Sequence, residues 1–337
     1  MKDVNHRIET ALKKGLSFIC NKQLSSGEFP TMRWKRSEMQ NASYVKSVFL
    51  TSFILHSLKS VEEFVETTKI SRRAINFLLG EMEKDGLWRF YGKNSRIHFD
   101  IDTTCCVLAV LKEYGIKMDY NSIASGLLRY RNAEGVFNTW ILDVGPPFEK
   151  KDNNIDWVVN ANALFFYSIL DQRLPEVDQY LIRVVETETF KQRSPYYESS
   201  LGFVYCFTRA YADGHNPRLS PAAAKIRDYL LGIKAEDISY GNPLESALAT
   251  VGLLNCSEDI ARATQAIEHL LSMQRKDGGW PIGTFFTGGP YKGRPLVKKY
   301  HIKEYDILYG SEELTTGIAL EAISKYAGKY KGCYRKW

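Results

Sequence analysis

The sequence predicts an all-α fold, an α6/α6 toroid in which six inner helices are ringed by six outer ones. Three observations predict it. Amphipathic and almost wholly apolar helical runs alternate along the chain. A 16-residue block recurs and ends each time in glycine, one further residue and an aromatic. No stretch alternates polar and apolar residues as a half-buried strand would, so no sheet is expected.

Taken in order, an amphipathic run at about 4–23 precedes an apolar run at 45–58, and 66–84 precedes 103–114. The pattern repeats with 120–131 before 158–170, 175–190 before 199–212, 219–232 before 244–254, and 258–274 before 314–326. A helix with one apolar stripe covers a core, whereas a helix apolar on every side lies within it. The second member of each pair is therefore placed in the inner ring. The connections 30–44, 89–99, 136–156 and 281–310 exceed the usual few residues and carry aromatic and polar side chains, which marks them for function.

The recurring block reads KGLSFICNKQLSSGEF at 14–29, RAINFLLGEMEKDGLW at 73–88 and QAIEHLLSMQRKDGGW at 265–280. A small residue (Gly15, Ala74, Ala266) is followed by Gln23, Met82 or Gln274, then by Gly27, Gly86 or Gly278, and last by Phe29, Trp88 or Trp280. A degraded fourth copy ends at Gly135-Val136-Phe137. Each block is an amphipathic helix stopped by a glycine in the left-handed conformation, after which an aromatic ring folds back over the last turn. These aromatics are read as rivets between helices and not as site residues.

With 337 residues, 44% hydrophobic and 13% aromatic, the chain can bury one large core, and a single domain spanning 1–337 is expected. The net charge of +6 is spread along the sequence, which gives no nucleic-acid footprint. No run reaches the ~20 apolar residues of a membrane span, and the first residues are charged throughout. A cytoplasmic protein without stable membrane insertion is expected. Six cysteines without a CxxC spacing indicate neither a disulfide framework nor a metal site.

The stretch HFDIDTTCC at 98–106 sets two carboxylates two residues apart before an inner helix. Either could cap the helix, and a carboxyl held in apolar surroundings could deliver a proton. A phosphoryl-acceptor reading of DIDTT requires the end of a strand in an α/β sheet, for which the helical repeats leave little room. If the inner helices run parallel, their N-terminal ends share one pole. Trp157, Asn160, Tyr196, Tyr197, Glu198, Phe285, Phe286 and Tyr309 would then gather with Asp100 and Asp102 as a substrate cavity suited to an apolar chain or a cation. The segment 286–303, with Lys292 and Arg294 among glycines and prolines, is read as a phosphate-binding loop.

The blocks resemble the QW repeats of the terpenoid cyclase and protein prenyltransferase superfamily, and FDIDTTCCVLAVL resembles the DxDD(T) motif of class II terpene cyclases. KDGGW and GSEELTTGIALEAI are similar to the closing turn and last inner helix of squalene–hopene-type enzymes. The resemblance implies a protonation-initiated cyclase of a linear isoprenoid, with a prenyl diphosphate expected. It implies Asp102 as proton donor, Asp100 as the residue that hydrogen-bonds and orients it, and Thr104 as the threonine following the motif. Thr103 departs from the pattern by standing where a third aspartate is usual, so Asp102 must rely on Asp100 and on burial to stay protonated. His98 is a candidate relay. No cofactor is expected beyond Mg2+ should the substrate carry a diphosphate. In place of the second barrel of such enzymes, the pocket would be closed by the 281–310 loop, by a second subunit such as a homodimer partner, or by nothing. Two alternatives stay open: proton-driven cyclisation of a non-terpenoid, and a non-catalytic toroid that binds an isoprenoid or peptide.

Overall fold

Every inner helix begins on a short polar side chain that caps its free N–H groups, and these six caps fix where the inner ring opens. The computed structural model describes residues 2–142, 153–233, 241–288 and 307–331. The helices are α1 (Lys2–Lys22), α2 (Val48–Lys59), α3 (Val65–Gly80), α4 (Ile101–Glu113), α5 (Tyr120–Leu127) and α6 (Trp157–Ser168). They continue with α7 (Pro175–Glu186), α8 (Ser200–Ala212), α9 (Ser220–Gly232), α10 (Pro243–Cys256), α11 (Ile260–Ser272) and α12 (Glu312–Tyr326). Ser47, Asp100, Asp156, Ser199, Asn242 and Ser311 each accept a backbone N–H from the first turn of α2, α4, α6, α8, α10 and α12.

The even-numbered helices form the inner ring. Each packs on the next, and α12 returns to α2 to close it. Their apolar sequence is explained by this position, since Ile101 to Leu111 of α4 are all buried. The odd-numbered helices form the outer layer and bury a single stripe, as α11 does with Ala263, Ala266, Ile267 and Leu270. The α6/α6 toroid predicted from the alternation is the fold observed.

The repeated block has a definite mechanical role. After each turn the aromatic ring is buried, and its backbone N–H donates to a polar side chain on the following inner helix. Phe29 bonds Thr51 Oγ1 at 3.3 Å, Trp88 bonds Thr104 Oγ1 at 3.3 Å, Phe137 bonds Asn160 Oδ1 at 2.9 Å and Trp280 bonds Thr316 Oγ1 at 3.0 Å. The indoles of Trp88 and Trp280 donate back to Leu78 O and Leu270 O, ten residues upstream. Gln23 Nε2 spans from Gly27 O to Ile70 O of α3, and Gln274 Nε2 from Gly278 O to Ala11 O of α1. The turn after one outer helix is thus stitched to the neighbouring outer helix. Gly278 (φ +91°) allows this approach, because a Cβ there would lie 2.3 Å from the backbone oxygen of Lys14.

The expectation of no strands is corrected. Among the described residues, β1 (Thr31–Lys35), β2 (Ser43–Val45), β5 (Phe286–Thr287) and β6 (Ile307–Gly310) form an antiparallel sheet in the order β2-β1-β6-β5, and β3 (Phe99–Asp100) pairs with β4 (Trp140–Ile141). These strands are two to five residues long, too short for an alternating pattern to emerge. They pair the described parts of the connections near the N-terminal pole. No helix among the described residues is long and apolar enough to cross a membrane.

Candidate active site

Burial of α4 against its neighbours carries the acidic motif to the floor of a pocket at the N-terminal pole. Asp102 is in the first turn of α4, 4% exposed. Its Oδ1 accepts Asn162 Nδ2 at 2.7 Å and its Oδ2 accepts the Tyr197 hydroxyl at 2.6 Å. Asn162 Nδ2 also donates to the Tyr197 oxygen at 2.9 Å, which closes a three-membered network. The orientation of the Asn162 amide is set by Arg209, whose Nη2 donates to Asn162 Oδ1 at 2.7 Å and can only donate. Arg209 is buried, and its guanidinium lies over the rings of Phe53, Phe165 and Tyr205.

Burial raises the pKa of Asp102 to about 8. The hydrogen bonds from Tyr197 and Asn162 pull the other way, while the charges of Asp100 and Asp156 add to the rise. Asp100 is the N-cap of α4, accepting Thr103 N at 2.6 Å, and burial lifts its carboxyl to about 7. The expected hydrogen bond from Asp100 to Asp102 is replaced by this cap, and Asp100 acts on Asp102 through charge alone. Asp100 Oδ2, Thr103 Oγ1 and Thr139 Oγ1 are buried without a hydrogen-bond partner, and all three residues line the pocket.

The walls are aromatic. The pocket has about 490 Å³ of empty volume, and beside the polar floor it is walled by Phe49, Phe90, Tyr91, Trp140, Tyr196 and Tyr309. Phe286 stands among them, stacked on Phe90 at 5.0 Å and on Tyr196 at 5.9 Å. Tyr91 and Tyr309 share a 2.6 Å hydroxyl contact. Asp156, the cap of α6, holds this wall in place: its Oδ2 accepts Ser194 Oγ and Tyr196 N, and Ser194 Oγ in turn accepts Tyr197 N.

The residues expected from sequence divide into several groups. Asp100, Asp102, Thr103, Tyr196, Phe286 and Tyr309 line the pocket. Tyr197 lies just behind it as a partner of Asp102. Thr104 is turned instead to Trp88, accepting its N–H, and Asn160 bonds both backbone groups of Phe137, so these two serve the repeat seam. Glu198 is ion-paired with Arg36 and Arg193, Trp157 is half-buried away from the lining, and Phe285 packs on Phe49, Phe53 and Tyr197. His98 is half-buried beside Arg89, and burial and that charge lower its pKa; it does not line the pocket. Lys292 and Arg294 lie outside the described residues.

Sequence reasoning missed Asn162, Trp140, Phe90 and Thr139. Asn162 had a signal: it interrupts the apolar run of α6, and an amide buried in such a helix needs partners. Trp140 and Thr139 reach the pocket only because β3 pairs with β4, a register that the sequence does not announce.

No family model matches the chain. A drimenol cyclase, drtB, from Aspergillus calidoustus is 22% identical over 192 residues, which are 56% of this chain and 34% of that protein. The matched part is thus about a third of that relative's length. Among solved structures, the type II terpene cyclase MstE from Scytonema, in complex with geranylgeranyl dihydroxybenzoate, is similar with a TM-score of 0.73 at 15% identity, covering 96% of this chain and 98% of that one. A protein from Actinoplanes has a TM-score of 0.71 at 17% identity over 95% and 99% of the two chains. An unsaturated glucuronyl hydrolase specific for heparin has a TM-score of 0.58 at 12% identity over 97% and 98%. That a terpene cyclase and a glucuronyl hydrolase are both similar shows that likeness at this level establishes the toroid and leaves the chemistry to the site.

Proposed function

We propose that this protein is a protonation-initiated cyclase of the class II terpene type, acting on a linear isoprenoid with Asp102 as the general acid. The observation that carries the reading is a buried carboxyl, held largely neutral at pH 7 by its surroundings, on the floor of an aromatic-walled pocket. Proton transfer from Asp102 to the terminal double bond would leave a tertiary carbocation. The rings of Phe90, Trp140, Tyr196, Phe286 and Tyr309, which line the pocket, would stabilise it as rings close. The carboxylate left behind is met by two donors, the Tyr197 hydroxyl and the Asn162 amide. Loss of a proton from the final cation, or its capture by water, completes the reaction.

The DIDTT match supports Asp102 in this role, and the QW-like turns support kinship with the cyclases. Among the described pocket-lining residues there is no arginine or lysine and most are aromatic, which supports an apolar chain as the part of the substrate held there. The expected diphosphate contacts, Lys292 and Arg294, lie outside the described residues.

The test is to incubate the protein and its Asp102→Asn variant in deuterium oxide, with and without Mg2+. The substrates would be geranyl, farnesyl and geranylgeranyl diphosphates, squalene, and a geranylgeranylated dihydroxybenzoate. A cyclised product carrying one solvent deuterium, made by the wild type and lost in a folded variant, is the expected result. Cyclisation that survives in Asp102→Asn, or a product without deuterium, would overturn it.

A further inference from the structure

The inner helices also share their C-terminal pole, where the negative ends of the helix dipoles converge. Glu113, the last residue of α4, lies there, about 16 Å along the helix from Asp102 at 1.5 Å per residue. Close to it, His56 near the end of α2, Asp213 at the C-cap of α8 and Glu321 of α12 bring one donor atom each within 4.8 Å of one another. They share an open cleft with Glu113, Lys59 and Lys325.

Two features show that the cluster is more than a set of surface acids. Glu321 is 1% exposed. Its Oε2 accepts Ser57 Oγ at 2.8 Å and the Tyr205 hydroxyl at 2.9 Å, whereas its Oε1 has no hydrogen bond. The nearest cation to Oε1 is Lys325 Nζ at 3.9 Å, and that ammonium is bonded to both oxygens of Asp213, so the vacant oxygen faces Asp213. His56, also buried, has its Nδ1 at 2.7 Å from Glu113 Oε2. A carboxylate on one ring nitrogen fixes the tautomer and leaves the other nitrogen's lone pair for a metal, as in carboxylate–histidine–metal arrangements.

We propose that His56, Asp213 and Glu321 form a divalent metal site at the pole opposite the pocket, with Glu113 orienting the histidine. One imidazole nitrogen and two carboxylate oxygens suit a borderline ion such as Zn2+ or Co2+ better than Mg2+ or Ca2+, which prefer oxygen throughout. Among the described residues, Glu113, Asp213 and Glu321 meet one ammonium directly, that of Lys325, because Lys59 pairs with Glu62; the Arg209 guanidinium acts on Asp213 and Glu113 through charge from its place on Asn162, which leaves the three carboxylates one negative charge in excess. A divalent ion offsets this excess. On its arrival Lys325 gives up Asp213 and keeps Asn255, which it already bonds at 2.9 Å. The ion would join α2, α8 and α12 across the barrel, and the site shares no residue with the proposed proton donor.

The full chain, stripped with a chelator, would be titrated with Co2+ and then Zn2+, following Co2+ absorption, calorimetric stoichiometry and melting temperature. The expected result is one saturable equivalent of Co2+ displaced by Zn2+, with a melting temperature that rises with Zn2+. His56→Ala and Glu321→Gln should each weaken binding at least tenfold, and Lys325→Met should tighten it by removing the competing cation. Absence of saturable binding in the wild type, or unchanged affinity in His56→Ala, would overturn the proposal. The wild-type titration and Lys325→Met decide the matter even where Glu321→Gln does not fold.

Discussion

A carboxyl group that is to protonate a carbon–carbon double bond has to reach it neutral, and Asp102 owes that state mainly to burial. Thr103 stands where a third carboxylate would have added like-charge pressure, and without it burial, joined by the charges of Asp100 and Asp156, lifts Asp102 to about 8. The two donors on Asp102 oppose the rise, so they lower the free energy of the carboxylate product at some expense to the acid. Activity should be constant at low pH and fall as pH rises through about 8. In Tyr197→Phe the opposing hydroxyl is gone while the ring's packing on Phe49, Phe285 and Phe286 is kept. A hydrogen bond to a charged group contributes ~1.5–3 kcal/mol, so the alkaline limb of kcat should move upward by roughly one to two pH units. A pH–rate profile of the two proteins checks it, and a limb that stays in place would show that Tyr197 does not govern Asp102.

At the scale of the elements, the same polar position on successive inner helices does structural work, and Thr104 belongs to that series with Thr51, Asn160 and Thr316. Thr104→Val and Thr316→Val should therefore cost alike, ~1–3 kcal/mol each for an orphaned buried N–H, with turnover per folded molecule retained in both. Chemical denaturation alongside the cyclisation assay measures this. A catalytic Thr104 would instead lose turnover at unchanged stability. Gly278→Ala should be more damaging, because it joins a left-handed backbone to a collision with Lys14 O; ~3 kcal/mol or more is expected. The block was legible because glycine, aromatic and glutamine recur at fixed spacing, and the alternation of runs made the toroid legible with it. The site was legible only in part. Asp100 and Asp102 are local in sequence and Tyr197 was named with them, but Asn162 and Trp140 arrive from two other segments through ring packing and a two-residue strand pairing. The short strands themselves left no periodic trace.

Across the whole molecule, the inner ring encloses several carboxyls whose folded pKa lies above the ordinary range: Asp102 at about 8, Asp100 at about 7, Glu313 at about 7 and Asp156 at about 6, each through burial. The sign of their effect on stability follows from linkage. Unfolded, these groups release their protons near pH 4, so between about pH 4 and pH 8 the folded chain binds more protons than the unfolded one, and stability falls as pH rises. Their contribution is most favourable below the unfolded pKa and is lost through the folded values. Asp213 does not offset this in the same window: burial raises its pKa, but the charges of Lys325, His56 and Arg209 and the hydrogen bond from Lys325 together bring it below the ordinary value, and its titration ends at lower pH. Unfolding in urea should therefore give a stability at pH 9 that is ~2 kcal/mol or more below that at pH 5, with an unchanged m-value. In Asp102→Asn one of these groups cannot ionise, so the variant should be more stable than the wild type at pH 9 and differ little from it at pH 5. Equal pH slopes for the two proteins would mean that Asp102 is not held neutral by the fold, and the acid proposed for the pocket would lose its physical basis. On the proposed mechanism turnover and stability share one origin, a proton kept on a buried carboxyl, and both should decline together as the solution becomes alkaline.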